Sequence, residues 1–189
     1  MILVFTGNGK GKTTAALGQA IRALGQNKKV LMIQFIKGPW ISGEDKFFKQ
    51  IARLGERMAI VKAGRGFVGI LDDKLPLKEH KKSARKGLEL AKKAINPPAG
   101  GRKYDLIILD EINNAVDLKL IKAADVLKIL KPICVNQRKN QRQSALDVIL
   151  TGRNAPKSFI KIADIVTEMK EIKHHFNKNK RSMKKGMEY

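Results

Sequence analysis

Residues 2–13 read Ile-Leu-Val-Phe-Thr-Gly-Asn-Gly-Lys-Gly-Lys-Thr, an apolar run that passes directly into a turn rich in glycine and lysine. The apolar part has the composition of a strand buried on both faces. The turn has that of a phosphate cradle, because small residues let successive backbone N–H groups face an anion while the next helix presents its positive end to the same point. Lys12 supplies a mobile cation and Thr13 a hydroxyl for Mg2+. Against the pattern G-x-x-x-x-G-K-S/T there is one departure: Thr6 stands at the first glycine, and a glycine follows at Gly7. A glycine-rich hairpin or a basic surface turn would need neither the strand before nor the helix after. The context therefore favours a nucleotide site, with Gly7, Asn8, Gly9, Lys10, Gly11, Lys12, Thr13 and Thr14 as the ATP-binding residues.

Working outward, Ala16, Ala20, Ala23 and Leu24 form a helical stripe, and Gly25 is placed to end that helix in a left-handed conformation. Residues 30–36 are nearly all apolar, and strand-helix-strand spacing of this length implies a parallel pair. A helix over 44–54 and a strand over 58–61 follow. Residues 63–77 dissolve into glycines, with Phe67 among Gly64, Gly66 and Gly69. That stretch reads either as a binding loop or as a cap on the sheet edge. A helix over 79–95 carries Ala84, Leu88, Ala91 and Ile95 on one face and lysines opposite. The strand over 104–109 ends in Asp110-Glu111. Asp117 is expected to cap a helix bearing Leu120, Ala123, Leu127 and Leu130 that stops at Pro132, and 136–143 to form an exposed loop. A strand over 148–151 leads through Gly152-Arg153 to a short helix ending near Ala163, and Ile165 and Val166 begin the last strand. Helices alternating with buried strands predict a doubly wound α/β domain with a mostly parallel central sheet and helices on both faces, spanning 1–172. Residues 173–189 form a basic tail.

The chain has 189 residues, 43% of them hydrophobic, which suits one globular domain. No apolar run approaches the ~18 residues that span a bilayer, and the first strand starts at once, so neither a membrane span nor a cleavable targeting segment is expected. The single cysteine, Cys134, excludes an internal disulfide and a multi-cysteine zinc site, and fits a reducing compartment, the cytoplasm. The net charge of +22 admits three explanations: nucleic-acid binding, attraction of small anions, or a lysine-rich solvated surface. Residues 72–93 hold eight basic and four acidic side chains and 170–189 hold seven and two, so the excess is spread. Aromatic residues, at 5%, are too few to interleave a basic stripe for single-strand binding. A solvated surface explains the charge best, with nucleic acid disfavoured as a partner.

In an open parallel sheet the ligand binds outside the carboxyl ends of the strands. The residues there are Thr6 to Thr13, Gln34 to Gly38, Asp110-Glu111 and Thr151-Gly152-Arg153. Asp110 and Glu111 supply oxygen ligands for Mg2+ or orient its waters, with Thr13 opposite; which carboxylate touches the ion is open. Arg153 can reach triphosphate oxygens. His174 and His175 are adjacent and point apart, and His80 lies among lysines, so no histidine carries a signal. The residues themselves thus reach a Mg-ATP enzyme, since a phosphate loop alone serves kinases, motors, hydrolases and transferases.

The full set resembles one family, the ATP:corrinoid adenosyltransferases. The likeness covers residues 6–16, Gln34-Phe35-Ile36-Lys37-Gly38 with Gly43-Glu44, Leu109-Asp110-Glu111, Leu150-Thr151-Gly152-Arg153, Ala163-Asp164, Val166-Thr167-Glu168-Met169, Lys173-His174 and Gly186-Met187-Glu188-Tyr189. The resemblance extends to the irregular first glycine. It implies a RecA-like P-loop fold, a homodimer, a flavoprotein reductase as partner, and transfer of the 5′-deoxyadenosyl group of ATP to the Co(I) of a reduced corrinoid with release of triphosphate. It further implies that Lys12 and Arg153, with Lys10 and Mg2+, stabilise the leaving triphosphate, that Thr13 and Glu111 hold the metal, that Phe67 lines the corrinoid, and that the tail closes near the site. Two features are expected to set it apart from relatives: Gly69 stands where they have a tryptophan, and many relatives carry an N-terminal extension that covers the site, whereas this sequence starts at the first strand. A nucleic-acid-stimulated ATPase and a corrinoid carrier without transferase activity are the competing expectations.

Overall fold

The computed structural model describes residues 1–38, 40–51, 56–66, 68–69, 73–98, 101–138 and 146–173. In chain order the elements are β1 (Ile2–Thr6), α1 (Lys12–Gly25), β2 (Val30–Gln34), α2 (Gly43–Gln50), β3 (Met58–Lys62), α3 (Leu77–Ile95), β4 (Leu106–Asp110), α4 (Ile112–Asp117), α5 (Ala123–Arg138), β5 (Asp147–Thr151), α6 (Lys157–Ile162) and β6 (Ile165–Glu168). The six strands form one sheet in the order β3-β2-β4-β5-β1-β6, and every neighbouring pair is parallel.

Period-2 alternation divides the core into two layers. Ile2, Val4, Leu31, Ile33, Ile107 and Leu109 pack with Ala84, Leu88 and Ala91 of α3, Ala115 of α4, Val126 and Leu130 of α5 and Phe159 of α6. Leu3, Phe5, Met32, Ile108 and Ile149 face the other way, onto Ala16, Ala20 and Leu24 of α1 and Phe48 of α2. Both faces are covered, which is why the central strands read as continuous apolar runs rather than alternating ones. Ile107, Ile108 and Leu109 are wholly buried, each contributing roughly 1.5–3 kcal/mol of burial. The alanines of α1 let that helix sit close to the sheet, which places its first turn at the end of β1.

Several local expectations are corrected. Gly25 does not end α1 in a left-handed conformation: the helix includes it, and Asn27 takes the positive φ of 59° while the N–H groups of Gln26 and Lys28 return to Ala23 O. Asp117 ends a helix instead of capping one, and Leu120 and Ile121 are buried in the connection that follows. Pro132 lies inside α5, which continues to Arg138, so 136–138 are helical and not part of a loop. A proline there forfeits one backbone donor without stopping the helix, because the helix is anchored before and beside it by Val126, Leu130 and Ile133. The remainder of the loop expected over 136–143 lies outside the described residues. So do Phe67, His174 and His175, and all of the tail after Lys173.

Candidate active site

The phosphate loop is held from outside by the end of β6. Met169 N donates to Thr6 O (2.8 Å), and Gly9 N donates to Met169 O (2.7 Å). A Cβ at Gly7, whose φ is 94°, would lie 2.4 Å from Met169 O, and one at Gly9 would lie 2.7 Å from Lys170 O. Those two glycines are therefore required by close backbone approach. Thr6 stands in for a glycine for a stated reason: it is the last residue of β1, and its Oγ1 accepts from Ala155 N at 3.1 Å, tying the strand to the turn before α6. Lys12 opens α1 after Gly11, with φ 114°, and its Nζ donates to Gly7 O and Gly9 O, both at 2.7 Å. Lys12 as a whole is only 7% exposed. Burial pushes it below the ordinary lysine range and Arg153 adds to that, while Glu111 and Asp110 oppose. Asn8, Lys10 and Thr14 lie exposed on the rim of the loop.

Asp110 is the hub at the end of β4. It is fully buried, and its Oδ1 accepts from Thr13 Oγ1 (2.9 Å) and Thr151 Oγ1 (2.7 Å). Thr151 Oγ1 in turn accepts from Glu111 N at 2.9 Å. The Oδ2 atom faces Gln34 Nε2 at 3.3 Å and Lys37 Nζ at 3.9 Å, and Lys37 pairs with Glu44 at 2.7 Å. Burial would lower Lys37, but Asp110, Glu44 and Glu111 outweigh it and the ammonium is raised. Burial likewise works against the Glu44 carboxylate, yet Lys37 and Ser42 hold it below the usual range. Glu111 adopts a left-handed φ of 62°. Burial first, and the adjacent Asp110 second, push its carboxyl up to about 7, against the pull of Lys12, Lys37 and Arg153.

Arg153 is reached through a turn built by α4. Gly152 has φ 127°, its O accepts from Asn113 Nδ2 (3.0 Å), and Asn114 Oδ1 accepts from Arg153 N. A Cβ at Gly152 would lie 2.4 Å from that same Asn114 Oδ1. The Arg153 side chain is exposed, yet near enough to act on both Lys12 and Glu111. Lys12, Thr13, Asp110, Glu111 and Arg153, scattered over 142 positions of sequence, thus converge at the carboxyl ends of β1, β4 and β5.

Among the described residues no group of three or more His, Cys, Asp or Glu side chains forms a metal cage. The all-oxygen set of Thr13, Asp110 and Glu111 fits Mg2+ instead, which takes one or two protein carboxylates and completes its shell with water and phosphate oxygens. Gln34 Oε1 and Asn113 Oδ1, both buried, have no hydrogen-bond partner among the described residues.

Other residues of the site were not assigned a role from the sequence. Met169 and Lys170 buttress the loop through their backbones, which no side-chain pattern betrays. Asn113 and Asn114 follow the Asp110-Glu111 strand end after one residue, Ile112, and two amides in that place are a signal that a turn-building role would have explained. His80 is not an uninformative surface residue: it is buried, with Nε2 3.0 Å from Asp73 Oδ2, and Asp73 also accepts from Gly69 N (2.9 Å) and Leu75 N (3.1 Å).

Comparison with known proteins agrees with this geometry. The family model described as ATP:corrinoid adenosyltransferase BtuR/CobO/CobP matches residues 1–189. The chain is 33% identical to the corrinoid adenosyltransferase of Escherichia coli strain K12 over 94% of this chain and 80% of that protein. It is 34% identical to the corrinoid adenosyltransferase of a Sinorhizobium species over 93% and 74%. Among solved structures, the flagellar accessory protein FlaH from Methanocaldococcus jannaschii superposes with a TM-score of 0.52 at 14% identity, covering 88% of this chain and 69% of that one. At that identity the likeness speaks for the fold alone, an α/β P-loop sheet of the RecA-like kind. No helix among the described residues is long and apolar enough to cross a membrane. A model match over the whole chain, relatives one-third identical along most of their length, and a phosphate loop joined to buried strand-end carboxylates lead to one statement: this chain belongs to the ATP:corrinoid adenosyltransferase family and is a transferase.

Proposed function

We propose that the chain transfers the 5′-deoxyadenosyl group of ATP to the Co(I) of a reduced corrinoid and releases inorganic triphosphate. The observation that carries this reading is the Thr13–Asp110 bond, which fastens the first turn of the phosphate-loop helix to the β4 carboxylates in a chain similar throughout to corrinoid adenosyltransferases. The electron pair on Co(I) attacks the ribose 5′ carbon, the new Co–C bond forms, and the C5′–O bond breaks with its electrons leaving on the triphosphate.

The protein's task is to hold all three phosphates and meet the charge that grows on the leaving oxygen. The N–H groups of the loop bind phosphate oxygens, apart from that of Gly9, which is held by Met169 O. Lys12 has two of its three N–H groups on loop carbonyls and keeps a donor for the nucleotide. Arg153 approaches from the β5 side as a second cation. Thr13, whose proton is given to Asp110, offers its oxygen lone pairs to Mg2+, with Asp110 and Glu111 as carboxylate ligands or partners of its waters. When bound, Mg2+ neutralises phosphate charge. Its presence also favours ionised Glu111, whose carboxyl stands near neutrality without it. Phe67 is the proposed corrinoid contact, the homodimer the proposed assembly, a flavoprotein the proposed reductant and the cytoplasm the proposed location.

The test is to incubate the protein with Mg-ATP and chemically reduced cobalamin in the dark and follow the visible spectrum. A photolabile Co–C species, formed in proportion to enzyme, is expected. A spectrum that stays that of the unalkylated corrinoid while ATP is hydrolysed would overturn the reading.

A further inference from the structure

The chain has a single tryptophan, Trp40, and this residue stands 63% exposed. Indoles are among the most consistently covered side chains, so one that faces solvent and yet is fixed in place points to something that covers it.

Trp40 is fixed from three directions. Its ring lies over two glycines: a Cβ at Gly38 would come 2.5 Å from Trp40 Cζ3, and one at Gly66 would come 2.9 Å from Cη2. Its carbonyl accepts from Lys62 Nζ at the end of β3. That ammonium is also paired with Asp45 at 2.6 Å, and Asp45 Oδ2 accepts from both Ser42 N and Ser42 Oγ at 2.7 Å, which ties the loop to the first turn of α2. Below the ring the two supporting segments are joined by backbone bonds, Ala63 N to Gln34 O (2.8 Å) and Gly66 N to Ile36 O (3.1 Å). Gly64 packs so closely that a Cβ there would lie 2.3 Å from the Ile36 carbonyl carbon. These contacts make a flat apolar shelf on a stiff base, at the carboxyl ends of β2 and β3.

The shelf adjoins the nucleotide side of the sheet. β2 is hydrogen-bonded to β4, with Gln34 opposite Asp110, and Lys37 reaches Glu44 at 2.7 Å and Asp110 at 3.9 Å. An acceptor seated on Trp40 would therefore lie at the same edge of the sheet as the Asp110–Thr13 pair.

We propose that Trp40 is an acceptor-binding residue whose indole covers one face of the corrin macrocycle. The inference rests on the adenosyltransferase reading and names a residue that carries its acceptor specificity. A corrin is broad and nearly planar, with apolar faces and a rim of amides, so its face matches an exposed indole in shape and polarity. ATP, held by the phosphate loop, has no need of this shelf.

The test combines steady-state kinetics of Trp40→Ala and Trp40→Phe with oxidation of the native chain by N-bromosuccinimide, read by mass spectrometry at its one tryptophan. Trp40→Ala should raise KM for reduced cobalamin roughly tenfold while KM for ATP stays within about twofold, and Trp40→Phe should recover most of the loss. Hydroxocobalamin, and not ATP alone, should protect Trp40 of the native chain from oxidation. An unchanged corrinoid KM in Trp40→Ala, or oxidation indifferent to hydroxocobalamin, would overturn the inference. If Trp40→Ala does not fold, protection of the native chain decides. If the native chain forms no Co–C bond, the transferase reading itself fails, an outcome separate from loss of a KM effect.

Discussion

The phosphate loop and the Trp40 shelf stand at the carboxyl ends of the same sheet but are built by opposite means. At the loop, polar groups are buried and satisfied by one another: Lys12 on Gly7 and Gly9 carbonyls, Thr13 and Thr151 on Asp110. At the shelf, an apolar ring is exposed and its polar supports lie beneath or beside it. A buried polar network has a geometry fixed before any ligand arrives, as stabilising charge on a leaving triphosphate requires. An exposed ring on a stiff base offers area instead, which suits a large flat acceptor.

The strongest way to break this contrast is at Lys12. Lys12→Ala should lower turnover roughly 10²–10³-fold, since a positioned charge donor to the leaving group is lost. Steady-state kinetics at saturating corrinoid measures it, and a loss confined to the corrinoid KM would contradict the division of labour.

Glu111 tests the electrostatic cost of the buried side. Its folded value, about 7, lies above the ordinary 4.5, so between those values the folded protein retains a proton that the unfolded chain releases. Stability from this group is fully present below about pH 4.5 and falls as pH rises through the window to about 7. In the ligand-free protein Glu111→Gln should therefore match the native chain at low pH and exceed it by about 3 kcal/mol above pH 7. Urea unfolding across that range reads the difference, and a flat difference would contradict the assignment.

Trp40→Ala sharpens the comparison from the other side. Because its ring is mostly exposed, removal should change unfolding stability by less than about 1 kcal/mol, whereas its effect on acceptor binding is larger. A large drop in stability would make Trp40 a core residue. A comparably small effect on stability is expected at Thr6. Thr6→Gly restores the strict phosphate-loop pattern but strips Ala155 N of its acceptor and loosens the strand end, so it should destabilise by roughly 1 kcal/mol and leave the ATP KM nearly unchanged.

The geometry of the phosphate loop was legible in the sequence because its constraints are local: a strand, two glycines in left-handed conformations and a lysine at a helix start leave a fixed spacing. Asp110-Glu111 and Arg153 were legible one step further, as polar residues just past apolar runs. The backbone support from Met169 and Lys170 was not, since backbone contacts leave no side-chain trace. Pro132 and Asp117 misled because local preference was overridden by packing: α5 is anchored by Val126, Leu130 and Ile133, and Leu120 and Ile121 turn the chain inward where a helix had been expected. The acceptor half was least legible. Trp40 lies in a stretch without periodicity, and its meaning depends on Gly66 and Lys62, which only the fold brings beneath it. Phe67, the residue singled out for the corrinoid, lies outside the described residues.

In the proposed reaction the loop grips a whole triphosphate while carbon, not phosphorus, reacts. Phosphorus NMR of the products from Mg-ATP and reduced cobalamin tests this directly. The expected spectrum holds the resonances of intact inorganic triphosphate, equal in amount to the alkylated corrinoid formed; orthophosphate with ADP, and no triphosphate, would overturn the proposed reaction.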